Sequence, residues 1–122
     1  MTQNAATGPI PADSTVGLLR AACPQAWQAY TKHAFVEQIA AGSLPDASFR
    51  HYLIQDYLFL KQYTRAYALA VYKGETLADM RDAAGAVDAL LNTEMGLHVQ
   101  YCERWGIDEQ QMLATPEDPA NI

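Results

Sequence analysis

Apolar residues recur at spacings of three and four through most of the chain, and no stretch keeps the two-residue alternation of a half-buried strand. From about Ala47 to Tyr72, the residues Phe49, Leu53, Leu60, Tyr63 and Tyr67 form one such stripe, which predicts a long helix with a buried face. A second stripe runs from about Leu77 to Trp105 through Met80, Ala84, Val87, Leu91, Tyr101 and Trp105. Upstream, Asp13, Ser14 and Thr15 offer capping oxygens to a helix reaching about Lys32, which Pro24 should kink or split because it lacks a backbone donor. Ala34 to Ala41 reads as a short helix stopped by Gly42-Ser43-Leu44-Pro45. Asp46 is placed to cap the first long helix and Thr76 the second, with Lys73-Gly74 and Gly106 as their ends. Asp108 opens one or two further turns before Thr115-Pro116-Glu117-Asp118-Pro119 breaks the chain. Residues 1–12 read as a flexible leader, and the rest as an all-α helical bundle.

Three ionisable residues interrupt the apolar stripes. Asp56 lies between Leu53 and Leu60, while Glu94 and His98 fall on the stripe of the following helix. A carboxylate removed from water without a partner costs several kcal/mol, so each needs a donor or a wet cavity. Together they suggest a polar pocket walled by aromatic rings, suited to a flat, nitrogen-rich ligand. Structural readings stand beside this one. Glu94 and His98 are one turn apart and can bond each other. Asp56 can cap a neighbouring helix or pair with Arg65 or Lys32, and the tyrosines can serve as core and interface. His33 lies between helices, as a cap or a solvent-facing residue.

Other chemistry finds less support. Di-iron bundles place Glu and His three apart on two helices, whereas Glu94 and His98 are four apart and the pattern occurs once. No metal site is expected. Cys23 and Cys102 match no metal or redox spacing. Cys102 follows His98 by one turn, but no third group is in place to orient a dyad, so it reads as a small buried thiol.

Composition narrows the class further. The 122 residues are 50% apolar and 18% charged, which excludes a disordered chain. A net charge of −6 argues against nucleic-acid binding, which needs clustered Lys and Arg. No apolar run approaches the roughly 20 residues of a membrane span, and residues 1–12 lack the regions of a signal peptide. A cytoplasmic location follows. A helix of about 27 residues is roughly 40 Å long, whereas a compact chain of this size is about 35 Å across. Two such helices predict a longer polypeptide, partner subunits, or both.

The stretch from His33 to Pro45, with His33-Ala-Phe-Val and Gly42-Ser-Leu, is followed by Phe49-Arg-His-Tyr-Leu-Ile-Gln-Asp-Tyr-Leu-Phe-Leu60. With Thr93-Glu-Met-Gly-Leu-His98 and Tyr101-Cys-Glu-Arg-Trp-Gly-Ile107, it resembles the TenA-like thiaminase II family from about Leu18 onward. The resemblance implies a haem-oxygenase-like helical bundle without haem or other cofactor, of which residues 13–122 form the N-terminal portion of a single domain. It implies a homotetramer and a small-molecule partner, an aminopyrimidine or thiamin. The implied reaction is thiamin salvage: the amine of aminomethylpyrimidine is replaced by hydroxyl, and thiamin itself can be cleaved. Asp56 matches the aspartate that holds the pyrimidine's exocyclic amine, with Phe59, Glu94 and His98 expected beside it in the substrate site. Phe59 stands where the family commonly has Tyr, so it supplies packing without that hydroxyl. The nucleophilic cysteine is expected beyond residue 122, and these residues alone are expected to be inactive. The alternative is a non-catalytic helical interaction protein that affects transcription indirectly.

Overall fold

The computed structural model describes residues 10–121, so nine residues of the expected leader and Ile122 lie outside the described part. Two compact units divide between Leu44 and Pro45.

The first unit holds three helices of eight residues: α1 (Thr15–Ala22), α2 (Pro24–Thr31) and α3 (Ala34–Ala41). Of the candidate caps, Ser14 starts α1, its hydroxyl accepting from the Gly17 amide at 3.1 Å. Pro24 splits the expected helix rather than kinking it. It occupies the first turn of α2, where a missing N–H costs nothing, and Cys23 separates the two helices. His33 caps α3, its Nδ1 accepting from the Phe35 amide at 3.1 Å. Gly42, at φ +67°, closes α3 in the left-handed region, and the Ser43 amide returns to the Gln38 carbonyl at 2.8 Å.

The second unit is built on α4 (Asp46–Lys73), whose 28 residues span ~42 Å at 1.5 Å per residue. Asp46 sits inside its first turn rather than capping it. Pro45 holds the cap position without a side-chain bond, and Asp46 contributes charge near the helix's positive end. Thr76 caps α5 (Leu77–Asp88), its hydroxyl oxygen accepting from the Asp79 amide at 3.1 Å, and α5 packs back on α4. A π-helical turn, Ala89–Glu94, joins α5 to α6 (Met95–Glu103). Gly106, at φ +71°, then turns the chain so that Ile107 packs on the core. Asp108 and Gln111 form a reciprocal capping box at the start of α7 (Glu109–Ala114), with both bonds at 2.8 Å. A 3₁₀ turn, Pro119–Asn121, ends the described chain.

The core of this unit joins Leu53, Tyr57 and Leu58 of α4 to Cys102 of α6 and Met112 of α7. Phe49, Met95, Val99, Trp105 and Ile107 pack around it. Phe49 and Trp105 meet edge to face at 5.9 Å, and the Arg50 guanidinium lies 5.1 Å from the Trp105 ring.

The π turn corrects the expected stripe. Its wider turn carries the Met95 amide back to the Leu90 carbonyl, five residues away. One extra residue retards every later side chain by about 100° relative to a regular α-helix. Leu90 is buried instead of Leu91, and Met95, Val99 and Cys102 face the core in place of Glu94 and Tyr101, while Trp105 still packs against it. Glu94 and Leu91 are exposed, and the exposed Tyr101 meets Phe49 and Trp105 edge to face at 5.8 and 5.4 Å. The turn therefore keeps a carboxylate out of the core and puts a thioether in its place.

Candidate functional site

Asp56 and His98 meet across α4 and α6. His98 Nε2 lies 2.7 Å from Asp56 Oδ2, and its Nδ1 lies 2.8 Å from the Glu94 carbonyl oxygen. A carbonyl only accepts, so Nδ1 carries a proton. An ionised carboxylate also only accepts, so Nε2 carries one too and the ring is an imidazolium. The hydrogen bond to Asp56 raises the His98 pKa above its ordinary value of 6.5; burial opposes the rise without cancelling it. Arg65, one of the expected partners of Asp56, donates instead to Gln62 Oε1 at 2.8 Å. Glu94 and His98 do bond, but through the Glu94 backbone, and the Glu94 side chain is exposed.

The pair is asymmetric. The His98 side chain is 11% exposed and that of Asp56 26%, so the carboxylate is the partner that faces outward. Among the described residues no partner takes Asp56 Oδ1.

From Asp56, the same face of α4 continues through Phe59, Tyr63 and Tyr67 at offsets of 3, 7 and 11. Phe59 and Tyr63 stack with ring centres 5.4 Å apart and planes inclined by 22°. Tyr63 and Tyr67 meet at 4.9 Å, with their hydroxyls 3.3 Å apart. That bond raises the Tyr63 pKa. The rings are a rail rather than core, for Phe59 is 43% and Tyr63 40% exposed. The stripe expectation buried Tyr63; instead Leu60 and Thr64 of the same stretch are buried while Phe59 and Tyr63 are exposed.

Cys102 is fully buried, and burial pushes its thiol pKa up, so it is a core thiol and no nucleophile. Tyr57, one of the tyrosines expected to serve as core, lies buried inside the unit and donates to Glu109 Oε1 at 2.7 Å. Burial first, and that bond second, push its phenol up to about 12.

Gln55, beside Asp56, is the residue that stripe reasoning missed. Its side chain is buried, donating to the Pro116 carbonyl at 2.9 Å and accepting from the Asp118 amide at 2.9 Å and the Asn121 amide group at 3.1 Å. His51 reaches Asp118 at 2.7 Å and Gln62 reaches Glu117 at 3.2 Å. Residues 51, 55 and 62, spaced by four and seven, therefore form a polar stripe that straps residues 116–121 to α4. That spacing was present in the sequence, hidden by attention to apolar positions.

An open groove of about 450 Å³ lies on another side of the unit, lined by Leu91, Met95, Val99 and Glu109 among others. It contains neither Asp56 nor the ring rail. No group of three His, Cys, Asp or Glu among the described residues is arranged to hold a metal ion. No helix among them is long and apolar enough to cross a membrane.

Comparison with known proteins places this geometry. An uncharacterised protein of Haemophilus influenzae is 47% identical over 79% of this chain and 44% of its own length. The aminopyrimidine aminohydrolase of Halalkalibacterium halodurans is 40% identical over 72% of this chain and 39% of its own. A crystal structure described as a TenA family transcription regulator, from Silicibacter sp. TM1040, superposes with a TM-score of 0.82 at 49% identity, over 88% of this chain and 48% of that one. The chain thus spans less than half the length of each of these relatives. Residues 20–122 match the TENA/THI-4/PQQC family throughout, including the segments that carry Asp56, the ring rail and His98, and the all-α protein belongs to that family.

Proposed function

We propose that this chain forms the N-terminal portion of a thiaminase II-type aminopyrimidine aminohydrolase acting in thiamin salvage. The observation that carries the reading is Asp56: a carboxylate anchored through one oxygen, open at the other, at the head of an exposed aromatic rail. An acceptor so fixed orients an exocyclic amine, and stacked rings suit the flat heterocycle that bears it. The aminohydrolases of Halalkalibacterium halodurans and Helicobacter pylori, 40% and 38% identical, support the same reaction.

In this reaction a cysteine thiolate adds to the pyrimidine ring, and ammonia leaves the adjacent methylene. Water then adds at that carbon and the thiolate is expelled. The balance is aminomethylpyrimidine plus water giving hydroxymethylpyrimidine plus ammonia. On this reading the nucleophile lies beyond residue 122, as the family resemblance implies, and Cys102 is sealed in the core. Asp56 holds the amine while Phe59 packs against the ring. The protein acts in the cytoplasm as a homotetramer whose subunits cover apolar surface such as Leu69, Tyr72 and Leu77.

Ammonia release from aminomethylpyrimidine by the product of the full natural gene tests the reading, with Asp56→Asn beside it and native helicity checked. Activity abolished by the substitution supports it. A well-folded, inactive wild type rejects it.

A second reading is favoured by the relative described as a transcription regulator, which is 49% identical. It makes the protein a non-catalytic helical partner acting on transcription indirectly, because a net charge of −6 opposes direct contact with DNA phosphates. Tight, salt-sensitive binding to duplex DNA would refute the indirect route.

A further inference from the structure

We propose that His98 is a positioning residue that fixes the Asp56 carboxylate through one oxygen and leaves the other as the acceptor, and so makes the site select amino-substituted over oxo-substituted pyrimidines. This rests on the reading of Asp56 as the amine acceptor. Three observations carry it. Both ring nitrogens of His98 are engaged, Nε2 by Asp56 Oδ2 at 2.7 Å and Nδ1 by the Glu94 carbonyl at 2.8 Å, which leaves neither for a ligand. The ring is the more buried partner, at 11% against 26%, so it stands behind the carboxylate as seen from solvent. Its anchor is backbone within a helix, so the ring cannot swing away without breaking that bond.

The chemical consequence follows from the donor inventory. A carboxylic acid can turn its O–H toward a ring carbonyl and so accept an oxo-pyrimidine, whereas a carboxylate offers only lone pairs. With Oδ2 taken by His98, the Asp56 carboxylate offers the lone pairs of Oδ1 to the ligand. An exocyclic amine donates to it; a carbonyl in the same place is repelled. α6 packs on α4 and the π turn, and its Cys102 shares the core with Met112 of α7. From α4 Asp56 favours the protonated ring, the exposed Glu94 carboxylate adds a smaller contribution at a distance, and the α7 carboxylate Glu109 is taken by Tyr57.

The test uses the full-length protein and two probes, 4-aminopyrimidine and 4-oxopyrimidine forms of one hydroxymethyl ligand, titrated calorimetrically at pH 7. Wild type should favour the amino form. His98→Leu should weaken amino-form binding by roughly 10- to 100-fold and narrow the preference. His98→Gln restores a donor to Asp56 Oδ2. It should recover most of the affinity and of the preference, a rescue that mere packing by His98 would not produce. Loss of binding in Asp56→Asn with unmoved affinity and preference in both His98 variants overturns the inference and leaves the amine-recognition reading standing. Unchanged binding in Asp56→Asn overturns that reading and this inference with it.

Discussion

Asp56 and His98 are 42 residues apart in sequence and 2.7 Å apart in space, and the second ring nitrogen of His98 is tied to the backbone of its own helix. The bond joins two helices of the second unit, α4 and α6. It also favours the protonated ring, because a ring between two acceptors donates from both nitrogens. Two-dimensional ¹H–¹⁵N spectra should show both His98 nitrogens protonated at pH 7, with titration above the ordinary 6.5. In Asp56→Asn the midpoint should fall. An ordinary midpoint in the wild type would contradict the imidazolium assignment.

The same pair makes stability depend on pH. His98 has a raised folded pKa, so its contribution is fully present below the unfolded value of about 6.5 and is lost as pH rises through the folded value. Denaturant midpoints for wild type and His98→Leu should therefore differ most near pH 6 and converge at high pH. A gap that widens above pH 8 would reverse the sign and discount the linkage.

Tyr57→Phe removes one bond to a carboxylate and leaves the ring in place. With Glu109 able to turn to water, the expected cost is about 1–2 kcal/mol. The raised phenol pKa adds a signature, since the bond's stabilisation should hold below pH 10 and fade toward about 12. Ultraviolet titration of tyrosinate absorbance should show one late tyrosine that the variant lacks.

Gln55→Leu keeps the bulk but strips the strap of its central clamp, leaving the Pro116 carbonyl and the Asp118 amide without that partner. A loss of about 2–3 kcal/mol is expected. Hydrogen exchange should quicken at Asp118 ahead of the α4 interior. Unchanged protection of that amide would mean that His51 and Gln62 hold the segment without Gln55.

The outward turn of Glu94 predicts indifference. Glu94→Gln should alter stability by less than about 0.5 kcal/mol and leave ammonia release by the full-length protein unchanged. Cys102→Ala should behave oppositely, losing about 1–2 kcal/mol through the cavity it leaves while retaining the activity. Loss of activity in a folded Cys102→Ala would reinstate that thiol as a nucleophile.

Much of this protein was legible without coordinates, because the relevant interactions are local. Ser14, Thr76 and Asp108 bond amides three residues away, Pro24 lacks its own donor, and Gly42 relieves its own backbone strain. Each effect is complete within a turn of chain, so helix ends and the all-α class follow from the order of residues. Asp56 was also legible as a carboxylate on an apolar stripe. Its partner was not: choosing His98 over Arg65 or Lys32 requires knowing how α6 lies against α4. Nor was the π turn, because one extra residue between Ala89 and Glu94 leaves the composition unchanged and rotates everything after it. Glu94 left the core and Met95 entered because packing α5 and α6 on one face of α4 favoured a thioether over an unpaired charge. Gln55 went unnoticed for the same reason, since its partners lie 61 to 66 residues away. Periodicity and capping determined the elements; only their packing decided which polar groups meet.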